Sequence, residues 1–84
     1  MNIFKYQIGN AATHVEMPAG ARVLCAKPKD GGVYLWVLAD PKAPFVTRVF
    51  EVMATGYSTV PKGSTYVDTY FEGSFVWHVF EMAT

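Results

Sequence analysis

Apolar and β-branched residues recur along this chain in short runs, and turn-forming residues cut them about every ten positions. No window places apolar residues at i, i+3, i+4 and i+7 over three turns, so helix signals are nearly absent. The pattern predicts seven strands: Asn2 to Ile8, Thr13 to Met17, Arg22 to Lys27, Val33 to Ala39, Val46 to Met53, Thr65 to Phe71, and Phe75 to Met82. Gly9-Asn10 and Pro18-Ala19-Gly20 end the first two. Lys29-Asp30-Gly31-Gly32 reads as a hairpin turn, because Asp-Gly and Gly-Gly tolerate positive φ. Asp40-Pro41-Lys42-Ala43-Pro44 breaks pairing, since proline donates no hydrogen bond. The stretch Thr55 to Gly63 is the longest irregular segment. The whole reads as one all-β domain over residues 1–84, a small antiparallel β-sandwich or barrel of about seven short strands.

Two strands read as central. Val33 to Ala39 is apolar on both faces, which predicts cover on both sides, and Val76 to Phe80 is interrupted only by His78. Trp36 and Trp77 are therefore expected in the core. Val46, Arg48 and Phe50 alternate with Thr47, Val49 and Glu51, which predicts one partly wet face. The last hairpin allows two registers. A two-residue turn at Glu72-Gly73 sets Asp68 opposite Trp77. A three-residue loop with Gly73 in a left-handed bulge sets Asp68 on the same face as His78. The second sorts polar from apolar residues better and is preferred. It gathers Tyr66, Asp68, Tyr70, Val76, His78 and Phe80 on one face, and Val67, Thr69, Phe75, Trp77 and Val79 on the other.

Composition adds limits. The chain has 84 residues, about half apolar, with five Tyr, six Phe and two Trp. A chain this short buries only about 60% of its unfolded surface, so self-association as a homodimer or higher oligomer is expected to add stability. Seven basic residues balance seven acidic ones, which argues against direct nucleic-acid binding through clustered positive charge. No apolar run reaches the ~18 residues of a membrane span, and no leader is apparent, so a cytoplasmic location is expected. Cys25 is the single cysteine. It excludes an internal disulfide and reads as a small buried hydrophobe within Val23-Leu24-Cys25-Ala26.

The chemistry is sparse. Two His and one Cys, scattered along the chain, give no metal-ligand spacing, and no phosphate-cradling loop or nucleophile elbow is present. Neither a cofactor nor a catalytic constellation is expected. Glu72 and Glu81 sit in or near turns, where solvated Glu is ordinary. Asp40 reads as a turn cap. His78 is the titratable residue that stands out, in the middle of an apolar strand. With Tyr66, Asp68 and Tyr70 on its face it would form a binding surface of rings and polar tips. The loop around Thr55, Gly56 and Tyr57 is the second candidate, because binding residues concentrate on long loops over rigid sheets.

Several segments together resemble a family. Leu35-Trp36-Val37-Leu38-Ala39-Asp40-Pro41, the C-terminal Val76-Trp77-His78-Val79-Phe80-Glu81, the early Lys5-Tyr6 and the step Met17-Pro18-Ala19-Gly20-Ala21 are similar to small bacteriophage and prophage proteins of unknown function. Members often carry Pro where Gln7 stands here, and a Gly-Thr-Gly-His loop where Ala54-Thr55-Gly56-Tyr57 stands. The resemblance implies a phage accessory protein in the cytoplasm of the host cell, and it brings no established activity. Such proteins act by binding, commonly against host defences. Two partner classes follow as expectations: a small nucleotide-type ligand held by a sponge, or a host defence protein covered by a direct blocker of the anti-CRISPR type. A minor virion component is the third reading. The scarcity of arginine, Arg22 and Arg48 only, weighs against the sponge.

Overall fold

A computed structural model describes residues 1–9, 11–56 and 59–83. Seven antiparallel strands follow the sequence pattern to within two residues at each end: β1 (Asn2–Ile8), β2 (Thr13–Pro18), β3 (Arg22–Lys29), β4 (Gly32–Ala39), β5 (Phe45–Ala54), β6 (Thr65–Glu72) and β7 (Phe75–Glu81). They form two sheets, β1-β4-β3 (sheet A) and β2-β5-β7-β6 (sheet B). The sheets pack as a small β-sandwich. The described residues contain no helix long and apolar enough to cross a membrane.

Local chemistry accounts for the turns. Asp30 and Gly31 both take positive φ, 50° and 81°, and connect the paired Lys29 and Gly32. That is the two-residue type I′ hairpin, whose twist suits the flanking strands. Past β4, the Asp40 carboxylate accepts the Lys42 amide at 3.0 Å, so the residue caps the turn that its position before Pro41 predicts. Pro28 lies in β3, an edge strand, where a missing donor costs no ladder bond.

Alternation decides the core. Leu35, Val37 and Ala39 of β4 point between the sheets with Ile8, Val15, Met17, Ala26, Phe50, Val52, Tyr70 and Val79. Trp77 packs against this cluster while partly exposed. Trp36 does not. It lies on the outer face of sheet A between Lys5 and Cys25, level with Tyr34 and Leu38 of its own strand. The expected double cover of β4 is thus corrected: with the seven strands in two layers, no strand among the described residues covers that face. Cys25 shares the face and is half-buried, not a core residue.

The β6–β7 hairpin takes neither expected register. Gly73 (φ 58°) and Ser74 form the two-residue loop, so Glu72 pairs with Phe75 and Tyr70 with Trp77. Glycine fits the first loop position because that position requires positive φ. Val67 is then an extra residue, a bulge between the pairs Tyr66–Phe80 and Asp68–Val79. The turn sets the faces of residues 68–72 against β7, and the bulge shifts Tyr66 relative to them. Asp68 and Tyr70 turn inward with Trp77 and Val79, and Thr69 turns outward with Tyr66 and His78.

Turned inward at the sheet edge, Asp68 closes the seam between the sheets. Its Oδ2 accepts the Ala26 backbone N–H of β3 at 3.0 Å, and Oδ1 accepts the Thr69 N–H at 2.8 Å. Lys27 reaches both the carboxylate and the Thr69 carbonyl. Elsewhere between the sheets, Arg48 grips Glu81 with two bonds of 2.7 Å and donates to the Ala21 carbonyl at 2.6 Å. Bonding to Glu81 raises the Arg48 pKa against the opposing effect of burial. Glu81 is therefore half of a half-buried ion pair rather than a solvated turn residue, because β7 runs on far enough to bring it opposite Phe50.

Asp68 links this seam to pH. Burial pushes its pKa up, but the amides of Ala26 and Thr69 and the ammonium of Lys27 outweigh that and hold it below the ordinary value. A lowered folded pKa stabilises the fold above the ordinary aspartate value of about 3.9, and that stability is lost as pH falls through the folded value. Asp68→Ala is expected to cost about 1–3 kcal/mol at pH 7 by stranding the Ala26 amide. In urea titrations the gap between wild type and this variant should narrow below about pH 4. A gap independent of pH would show that the carboxylate's charge does not hold the seam.

Candidate functional site

The outer face of sheet B carries a chain of hydrogen bonds across three strands. Tyr66 Oη lies 2.7 Å from Thr69 Oγ1, and Thr69 Oγ1 lies 3.0 Å from His78 Nδ1. On the other side of the imidazole, Nε2 lies 2.7 Å from Thr55 Oγ1, which donates to the Val76 carbonyl at 2.9 Å. Strand geometry builds this row. Thr69 and His78 are directly paired across β6 and β7, and Thr55 follows the last residue of β5. The bulge at Val67 brings Tyr66 onto the same face as Thr69 despite their odd spacing.

The end of the chain fixes its direction. A carbonyl only accepts, so the Thr55 hydroxyl spends its proton on Val76 and must accept from His78. Nε2 then carries the imidazole proton and Nδ1 is the acceptor. Thr69 donates to Nδ1 and accepts from Tyr66. Every polar atom of the row has a partner while the imidazole is neutral, and the ring is locked at both nitrogens.

Beside this row is an apolar depression of about 260 Å³ lined by Met53, Thr55, Gly56, Val60, His78 and Phe80. Tyr66 stands edge-on to Phe80 with ring centroids 5.7 Å apart. Tyr66 and Phe71 are 57% and 73% exposed. Both rings lie on the outer face of sheet B, one paired with Phe80 and the other with Val76.

Of the residues expected from sequence, Thr55, Gly56, Tyr66 and His78 come together. Tyr57 lies outside the described residues. Asp68 and Tyr70 do not join them: Asp68 holds the seam, and Tyr70 is buried in the core with its hydroxyl pKa raised by desolvation and by Glu72. Thr69, which connects Tyr66 to His78, was expected on the opposite face. The Gly73-Ser74 turn brings it here by pairing it with His78, whereas the three-residue loop preferred from the sequence pattern would turn it to the other face. Phe80 was placed on the right face.

A second cavity of about 360 Å³ opens at the rim of the sandwich, where Gln7, Gly31, Gly32, Tyr70, Glu72 and Trp77 meet. Among the described residues no Lys or Arg lines it. The Trp77 indole N–H is buried and meets no acceptor among the described residues. No group of His, Cys, Asp and Glu among the described residues could hold a metal ion.

A family model described as Domain of unknown function (DUF7352) matches residues 1–84. No curated protein and no solved structure matches the chain.

The direction of the hydrogen-bond chain is open to direct measurement. Long-range ¹H–¹⁵N correlation spectra near pH 8 should show His78 with its proton on Nε2. Thr69→Val should leave Nδ1 without its donor, move the Nδ1 resonance, and cost about 1 kcal/mol of stability. A proton found on Nδ1 in the wild type would contradict the assigned direction.

Proposed function

Since the chain belongs to this DUF7352 family of domains of unknown function, we propose from its surface that it works by non-covalent capture of a protein on the β6–β7 side of sheet B. The carrying observation is two exposed rings on one outer face, Tyr66 against Phe80 of the apolar depression and Phe71 opposite Val76, with the His78 ring between those β7 positions locked at both nitrogens. Such a surface is preorganised: little rotamer freedom is left for the imidazole to lose on binding. Aromatic residues of this kind are the usual anchors of protein interfaces. The Thr69 hydroxyl is engaged on both sides within its own row, so it serves as a strut for His78 rather than as a nucleophile.

Electrostatics favours a protein partner over a nucleotide. On the outer face the strands of sheet B hold two carboxylates, Glu16 and Glu51, and no Lys or Arg, since Arg48, Asp68 and Glu81 turn inward. A phosphate approaching the depression would meet Glu51, which pairs with Phe80. The resemblance to phage proteins supports the setting: a phage accessory protein that blocks a host defence protein in the host cytoplasm. A second reading, capture of a small nucleotide-type ligand, draws on the rim cavity. There the unpartnered Trp77 N–H could serve a carbonyl of a base, although no cation is at hand for phosphate.

Tyr66→Ala with Phe71→Ala removes the two exposed anchors and should leave the fold nearly intact. Loss of about 2 kcal/mol or more per anchor would weaken partner binding about thirtyfold for each, and roughly a thousandfold for the double variant where the two add. The measurement pairs a defence-neutralisation assay in host cells with native mass spectrometry of the purified complex. A folded double variant that neutralises as well as wild type would remove this face from consideration. Protection limited to defences that use a diffusible signal, with that signal released intact on heating, would favour the small-ligand reading.

A further inference from the structure

Charge is balanced over the chain but divided between its sheets. The strands of sheet A hold Lys5, Arg22, Lys27 and Lys29 and no carboxylate. The strands of sheet B hold five carboxylates and one arginine. Much of this charge is used internally: Lys27 with Asp68, Lys29 with Asp30, Arg48 with Glu81. On the outer faces the charges without an ion pair among the described residues are Lys5 and Arg22 on sheet A, and Glu16 and Glu51 on sheet B.

Register places each pair around an apolar centre. Lys5 pairs with Trp36 and Arg22 with Leu38, so the two cations flank the Trp36–Leu38 step from opposite strands. The Lys5 ammonium lies over the Tyr34 ring, 5.0 Å from its centroid. On sheet B, Glu16 pairs with Thr47, and Glu51 lies four residues further along β5 with Val49 midway between. Standard strand spacing puts the cations about 12 Å apart and the carboxylates about 14 Å apart. Long side chains absorb the difference.

We propose that the protein associates with itself head to tail, the outer face of sheet A of one copy lying on the β2–β5 half of sheet B of the next. Lys5 and Arg22 then meet Glu16 and Glu51, and Trp36 and Leu38 cover Val49. A two-fold arrangement through either face would set like charges against each other, so the expected symmetric dimer gives way to a heterologous contact. Such a contact propagates into an open chain or closes into a ring. The β6–β7 half of sheet B, with Tyr66, Phe71 and His78, stays clear. The contact is modest: a face of three strands measures about 15 by 25 Å, small beside the ~800 Å² per partner of a standard interface. Association should therefore be concentration-dependent and sensitive to salt.

Sedimentation velocity tests this on the intact chain. The wild type at about 500 µM and low salt should sediment faster than a monomer, and should weaken about tenfold in affinity on raising salt to about 0.5 M. Lys5→Glu with Arg22→Glu should give a monomer, and so should Glu16→Lys with Glu51→Lys. All four changes together exchange the signs of the two faces, keep the net charge at zero, and should restore association. Circular dichroism confirms that each variant is folded, and the salt response of the wild type stands without any variant. A wild-type monomer, a double variant that still associates, or a quadruple variant that does not would each overturn the proposal. So would a wild-type monomer whose tryptophan fluorescence is quenched by single-stranded oligothymidylate, which would give the Trp36 face to nucleic acid.

Discussion

One extra residue in an edge strand sets the arrangement of everything around it. The bulge at Val67 lets Asp68 turn inward while Tyr66 and Thr69 both face out. Inward, the Asp68 carboxylate satisfies a β3 amide that points away from sheet A and joins the two sheets along one side. Outward, Thr69 and Tyr66 complete the row that fixes His78. Without the bulge the parity of β6 would be uniform. Asp68 and Tyr66 would then share a face, and either the seam or the hydrogen-bonded row would be lost. Seam and candidate site are thus two outcomes of a single irregularity, consistent with the tendency of bulges to re-aim side chains near edges.

The same seam disposes of an exposed edge. β3 carries Lys27, Pro28 and Lys29 along its open side, and β6 lies against it. Proline and lysine discourage a foreign strand from pairing there, and Asp68 engages the Ala26 donor directly. Elsewhere between the sheets, Arg48 and Glu81 occupy positions that alternation would give to apolar side chains. Each is partly desolvated, and each has the other and well-placed hydrogen bonds as compensation.

The strands were legible because their signals are local. Asp30-Gly31 and Gly73 demand particular backbone conformations, and alternation in β2 and β5 separates Val15, Met17 and Phe50 from Glu16 and Thr47 within one run. What was not legible depends on distant partners. The Val67 bulge responds to an amide about forty residues away, so its own sequence, Tyr66-Val67-Asp68, reads as uninterrupted alternation. The outward position of Trp36 was hidden because β4 is apolar on both faces, and periodicity cannot say which face lacks a covering layer. Glu81 looked like a terminal residue near solvent because nothing beside it announces Arg48. For the site, Thr55, Gly56, Tyr66 and His78 could be found from residue type and position. Thr69 could not, because its face depends on which residues form the β6–β7 turn.

The strand order also bears on how the chain acquires its shape during synthesis. β1 must wait for β4: Phe4 pairs with Val37, made 33 positions later. At bacterial-type elongation rates of roughly 5–20 residues per second, the first strand is made roughly 2–7 seconds before its partner exists. β2 waits in the same way for β5. The β3–β4 and β6–β7 hairpins, by contrast, join neighbouring strands and can close within about 1–10 µs of being made. The amino-terminal strands of this domain are therefore passengers until its middle is complete, and the sandwich is assembled from its centre outward.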